Sequence, residues 1–164
     1  MNENASDYPN ISRCIELNSR VWQSATYPSE LTHKEIFLMQ KRSKDLGIRQ
    51  FRYCLHNKND DLLQQMIIFH NYPQAINWHL QLDKGIVFYH VIKGQVDIVL
   101  SNNQKKTIHL SEPSNQNDDK FSTMVSVPKN IYRRIITNSS DSIFLEITNG
   151  SFSDSNTLWK TSIN

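Results

Sequence analysis

The chain has 164 residues, enough for one domain with its own core and short for two. Its 18 basic residues nearly balance 16 acidic ones, and no segment gathers Lys and Arg densely enough to follow a phosphate backbone, which argues against nucleic acid as a partner. No apolar run approaches the roughly 20 residues of a bilayer span, and the start Met1-Asn2-Glu3-Asn4-Ala5 lacks the basic and apolar regions of an export signal, so a cytoplasmic protein without a membrane partner is expected.

In chain order, residues 1–12 are polar and read as a flexible amino terminus, followed by one domain over 13–160. Cys14 to Val21 alternates loosely enough for a strand that pairs late or with a partner subunit. Cys14 and Cys54 share no metal-ligand spacing and read as buried thiols. Thr32-His33-Lys34-Glu35 has the spacing of a capping box, which predicts a helix over about 32–46 with Ile36, Met39, Ser43 and Leu46 on one face and Gly47 as its stop.

Beyond the helix the pattern changes to short strands, expected at 50–56, 63–70, 76–82, 86–92, 95–100, 106–110, 124–127, 134–138 and 143–148. Many short strands between turn residues mean an antiparallel sandwich or barrel. The polar stretch 111–120 reads as a mobile loop, and Phe152, Leu158 and Trp159 as a tail whose aromatics pack on the barrel or on a neighbour.

Several motifs along this pattern resemble the WbuC-type cupins, small proteins of bacterial O-antigen and other surface-polysaccharide gene clusters. They are Arg52-Tyr53-Cys54-Leu55-His56 with Gln65-Met66-Ile67-Ile68-Phe69, the block from Phe88 to Leu100 around Lys93-Gly94-Gln95, Val127-Pro128-Lys129-Asn130-Ile131-Tyr132, and Glu146-Ile147-Thr148-Asn149-Gly150-Ser151-Phe152. Together they cover roughly residues 30 to 160, and several in order are more specific than any one alone. The resemblance implies a mainly β fold, a cupin jelly-roll barrel (double-stranded β-helix) with an amino-terminal α-helix, and a homodimer.

Cupins typically hold a divalent metal with three His and one Glu inside the barrel. Here the Glu position, seven residues before Gly94, is Val87; the His-x-His pair, counted back by the usual spacer, falls on Leu80 and Leu82; and the second-motif His, five after Pro128, falls on Arg133. His79 lies one residue out of phase, where a strand turns a side chain to its other face. A guanidinium does not ligate metal, so no cofactor and no divalent metal is expected.

An Arg133 pointing into the barrel would need an anion, which makes a sugar carrying a phosphate or carboxylate the expected ligand, with Tyr89 lining the wall, Trp78 or His79 offering an aromatic face and Arg52 or His56 adding polar contacts. The plainer alternative places Arg133 and Arg134 at the rim, solvated or paired with Asp141 or Glu146. His56, His70, His90 and His109 show no local partner pattern, and Asp60-Asp61 and Asp118-Asp119 read as solvated turns.

Three functions follow as expectations. The first is a metal-free cupin of surface-polysaccharide biosynthesis that binds an anionic sugar or nucleotide-sugar. The second is a sugar isomerase or epimerase, for which Tyr89, His79 and His56 are the acid–base candidates. The third is a non-catalytic interaction or regulatory protein with an apolar, filled barrel.

Overall fold

A computed structural model describes residues 13–26, 29–82, 85–102, 104–113, 119–151 and 156–162. The expectations for residues 1–12, for Phe152, for Asp118 and for the middle of the polar stretch, 114–118, fall outside the described residues.

The amino-terminal segment is a hairpin, β1 (Cys14–Asn18) and β2 (Val21–Ser24), instead of the single strand expected. Asn18 Oδ1 accepts from the Arg20 N–H, an Asx turn that breaks the run at Ser19-Arg20. Helix α1 (His33–Asp45) starts at the expected capping box: the Thr32 hydroxyl accepts from the Glu35 N–H at 3.2 Å, and the Glu35 carboxylate accepts from the Thr32 N–H at 2.7 Å. Gly47 follows it at φ +67°. Met39 and Ser43 are buried as the periodicity requires, but Leu46, at the C-cap, is 60% exposed.

Strands β3 (Gln50–Cys54), β4 (Leu63–His70), β7 (Ile86–Lys93), β10 (Met124–Pro128) and β12 (Ser142–Asn149) join the hairpin in a seven-stranded sheet ordered β1-β2-β3-β4-β12-β7-β10. Strands β6 (Trp78–Gln81), β8 (Gln95–Asn102), β9 (Gln104–Ser111), β11 (Tyr132–Thr137) and β13 (Thr157–Lys160) form a second sheet ordered β13-β6-β11-β8-β9, and the short β5 (Gln74–Ala75) pairs with β11. The tail expected to pack its aromatics is therefore a strand, antiparallel to β6 over four residues.

Alternation on the strands sorts side chains into two layers. Met66 and Ile68 on β4, Val87, Tyr89 and Val91 on β7, Ile98 on β8, Ile135 on β11 and Phe144 on β12 meet between the sheets. On the other face of the first sheet, Trp22, Phe51, Tyr53, Ile67, Phe69 and Ile143 cluster with Met39 of the helix. Cys54 belongs to the inner layer, where burial pushes its thiol up to about 11, while the half-buried Cys14 sits 3.6 Å from the Tyr53 hydroxyl.

Gly94, where the chain leaves the first sheet for the second, has φ +80°, and a Cβ there would lie 2.6 Å from the Ser139 hydroxyl and 3.2 Å from the Ser142 backbone. Both conformation and space therefore require glycine at this turn.

Candidate functional site

Two strands bring polar side chains inside. On β3, Phe51 and Tyr53 face the helix, which turns Gln50 and Arg52 toward the space between the sheets. On β6, His79 and Gln81 do the same, while Trp78 and Leu80 alternate to the opposite face. With Glu146 from β12 and Thr157 and Trp159 from β13, these residues wall a cavity of about 240 Å³, with Met66, Ile68, Ile76 and Ile135 as its apolar lining.

Arg133 is 2% exposed and points inward, which excludes its rim reading. It bridges the two sheets: its Nε donates to the Tyr89 hydroxyl at 2.6 Å and its Nη2 to Gln81 Oε1 at 2.6 Å. The Glu146 carboxylate lies beside the same hydroxyl, and Glu146 and Tyr89 are paired across β12 and β7. A hydroxyl that accepts from Arg133 is free to donate its own proton to Glu146, so the three side chains form one chain of charge-assisted hydrogen bonds. Burial, more than either charged neighbour, drives the Tyr89 hydroxyl far above its usual range, which keeps it a donor and unsuits it as a base. Neither Arg133 nor Tyr89 is on the cavity wall; they hold Gln81 and Glu146, which are.

Asp141 and Arg134 complete the correction of the rim reading. Asp141 pairs with Lys44 and, at 4.0 Å, with Lys93. Arg134 is partly buried on the face of β11 opposite Arg133, and its Nε has no hydrogen-bond partner among the described residues.

His79 corrects the register read from the sequence. The expected metal-ligand positions Leu80 and Leu82 are off the cavity, Leu82 being 50% exposed, and His79 is on it. The counted-back spacer is one residue too short here, so the inward pair is His79-x-Gln81. Burial first, and the field of Arg133 second, hold the His79 imidazole down at about 4. Its Nδ1 lies 3.0 Å from the Asn77 carbonyl, which assigns the proton to Nδ1 and leaves Nε2 the acceptor of the neutral ring. The Trp159 ring stacks at a tilt on this imidazole, centroids 5.2 Å apart.

Arg52 is the cation of the wall. Its guanidinium makes no hydrogen bond or ion pair among the described residues. Its field nevertheless reaches His79 and His70, two further reasons why both imidazoles stay neutral. His70, buried with Nε2 unpaired, is held near 4 mainly by burial.

Of the residues expected at the site, Arg52 and His79 are on the wall, Arg133 and Tyr89 are directly behind it, and Trp78 and His56 are elsewhere. Trp78 is on the wrong face of β6; Trp159, which pairs with His79 across β13 and β6, supplies the aromatic surface instead. His56 follows β3 and its Nδ1 accepts from the Gln65 N–H at 3.1 Å, a backbone-bracing role. Gln50, Gln81, Glu146 and Thr157 were not proposed. The runs Gln50-Phe51-Arg52-Tyr53 and Trp78-His79-Leu80-Gln81-Leu82 carried the signal, since strict alternation of polar and apolar residues marks two-faced strands.

The cupin metal set does not fit this interior. Val87 is in the apolar core, Arg133 is a cation, and among the described residues no three His, Cys, Asp or Glu side chains converge. No helix among the described residues is long and apolar enough to cross a membrane.

Neither a family model nor a curated protein matches the chain. Among solved structures it is similar to protein SO0799 from Shewanella oneidensis, with a TM-score of 0.58 and 12% identity over 74% of this chain and 83% of that one. KdgF from Halomonas sp. gives 0.49 and 13% identity over 65% of this chain and 84% of its own. Oxalate decarboxylase from Bacillus subtilis gives 0.49 and 12% identity over 61% of this chain, which spans 24% of that enzyme. Identities this low show the fold alone. Two largely antiparallel sheets closed around a shared interior, with a helix on the outside, make this a cupin-fold protein.

Proposed function

We propose that the chain is a metal-free, sugar-binding cupin of bacterial surface-polysaccharide biosynthesis, whose cavity takes an anionic sugar or the sugar end of a nucleotide-sugar. The observation that carries this reading is Arg52, a guanidinium on the cavity wall with no hydrogen-bond or ion-pair partner among the described residues. A half-buried cation without a counter-charge is costly, and a ligand anion offsets that cost. Trp159 offers a ring face to a sugar, while Glu146, Gln50 and Gln81 offer the planar donors and acceptors that hydroxyl groups take. The volume of about 240 Å³ is just below the roughly 300–1,000 Å³ of drug-sized sites, so one sugar ring enters and any nucleotide stays outside. The motif resemblance supplies the pathway.

A thermal-shift and calorimetric screen with neutral sugars, sugar acids, sugar phosphates and nucleotide-sugars tests the reading. An anionic sugar is expected to bind and to stabilise the protein, and Arg52→Ala to abolish both. No response to any of them at millimolar concentration, or a response unchanged in Arg52→Ala, would overturn it.

One observation favours isomerase or epimerase chemistry as a second reading: the acceptor ring of His79 and the carboxylate of Glu146 line the same cavity. Its signature is uptake of solvent deuterium at a carbon of the bound sugar, lost in Glu146→Gln. The interaction-protein reading required an apolar, filled barrel, and a cavity walled in part by Arg52, His79, Gln81 and Glu146 weighs against it.

A further inference from the structure

We infer that the sugar carries its charge as a carboxylate and not as a phosphate, a step that rests on the sugar-binding reading above. Arg52 is paired with Ile68 and Glu146 with Met66, so the two charged side chains stand on opposite flanks of β4, whose Met66 and Ile68 line the cavity between them. Two strand spacings separate them laterally, about 10 Å. A pyranose ring with an anionic substituent toward Arg52 and hydroxyls toward Glu146 spans that distance.

Bidentate pairing with a guanidinium does not by itself separate carboxylate from phosphate, since both offer the required pair of oxygens. Net charge does. Among the described residues, two guanidiniums, Arg52 on the wall and Arg133 behind Gln81, face one carboxylate, Glu146, and the neutral His79 adds nothing. The site is therefore short of one negative charge. A sugar acid supplies it and leaves the cavity neutral, whereas a phosphate monoester brings about −1.5 to −2 and leaves the excess facing Glu146 in an enclosed site where charge is poorly screened. Glu146 cannot swing away, because the Tyr89 hydroxyl that holds it is itself fixed by Arg133 at 2.6 Å. Its remaining lone pairs accept hydroxyls and repel anions.

Isothermal calorimetry with D-glucuronate, D-galacturonate and N-acetylneuraminate, against glucose, glucose 1-phosphate and galactose 1-phosphate, tests this. At least one sugar acid is expected to bind at least tenfold more tightly than either phosphate. Arg52→Lys should weaken it about tenfold through loss of the bidentate pair, and Glu146→Gln should raise phosphate affinity severalfold. Phosphates binding as tightly as the acids, or indifference of phosphate affinity to Glu146→Gln, would overturn the carboxylate assignment and leave the sugar-binding reading intact. Failure of every anionic sugar to bind would instead remove the reading beneath it.

Discussion

Arg133 is where the barrel interior departs most from an apolar core. It is only 2% exposed, and what makes this tolerable is that its donors meet the Tyr89 hydroxyl and the Gln81 carbonyl, with the Glu146 carboxylate one bond further on. Removing a buried cation from such a network leaves acceptors without donors and a carboxylate without its balancing charge. Arg133→Ala is expected to lower the unfolding free energy by about 3 kcal/mol in urea titrations. Arg133→Met, which keeps most of the volume and lets Tyr89 still donate to Glu146, should cost clearly less. Equal stability of wild type and Arg133→Ala would mean that the bridge between the sheets contributes nothing.

Strand β13 shows how an element can be simple in sequence and decisive in place. Thr157-Leu158-Trp159-Lys160 has little to distinguish it from a polar tail, yet it pairs with β6 and carries Thr157 and Trp159 onto the cavity wall. Trp159 is 59% exposed, so it adds little to folding stability, and its ring lies against His79 at the site where a sugar face would stack. Trp159→Ala is expected to weaken sugar binding by up to about tenfold with almost no change in melting temperature, because aromatic stacking contributes about 1 kcal/mol. Unchanged affinity would move the sugar elsewhere in the cavity. Helix α1 is the opposite case: its capping box, its stop at Gly47 and its buried Met39 are all local, which is why they were readable beforehand, while Leu46 was misplaced because it is the C-cap, where the helical periodicity has already ended.

For the molecule as a whole, the two buried imidazoles set the acid limit. His70 and His79 are both held at about 4 in the folded chain against 6.5 for the free group. Between those values the unfolded chain binds more protons than the folded one, so the unfolding free energy rises with pH across this window and is lost as pH falls through it. That difference corresponds to about 3 kcal/mol per imidazole when fully expressed. Urea titrations from pH 7 to pH 4 are expected to show this loss, and His79→Gln to remove about half of it. A flat profile would mean that these rings reach water in the folded state. The polar interior also has a structural consequence, since the apolar layer against the helix, built from Phe51, Phe69, Ile67 and Ile143, is the one that the cavity leaves uninterrupted.

Strand alternation, turn residues and helix caps are local signals that act over a few residues, and they sufficed to read the class of fold. Val87 and Arg133, countable from Gly94 and Pro128, were likewise readable as standing where a cupin carries a Glu and a His. Tertiary structure alone decided which face of β6 points inward, because a spacer longer by one residue reverses a strand and no local signal measures it. It also decided that Arg133 reaches Tyr89 on the other sheet as well as Gln81 on its own, and that Arg52 shares one cavity with Glu146 and Trp159 from far along the chain: those are matters of long-range pairing, which the order of residues constrains only through the completed fold.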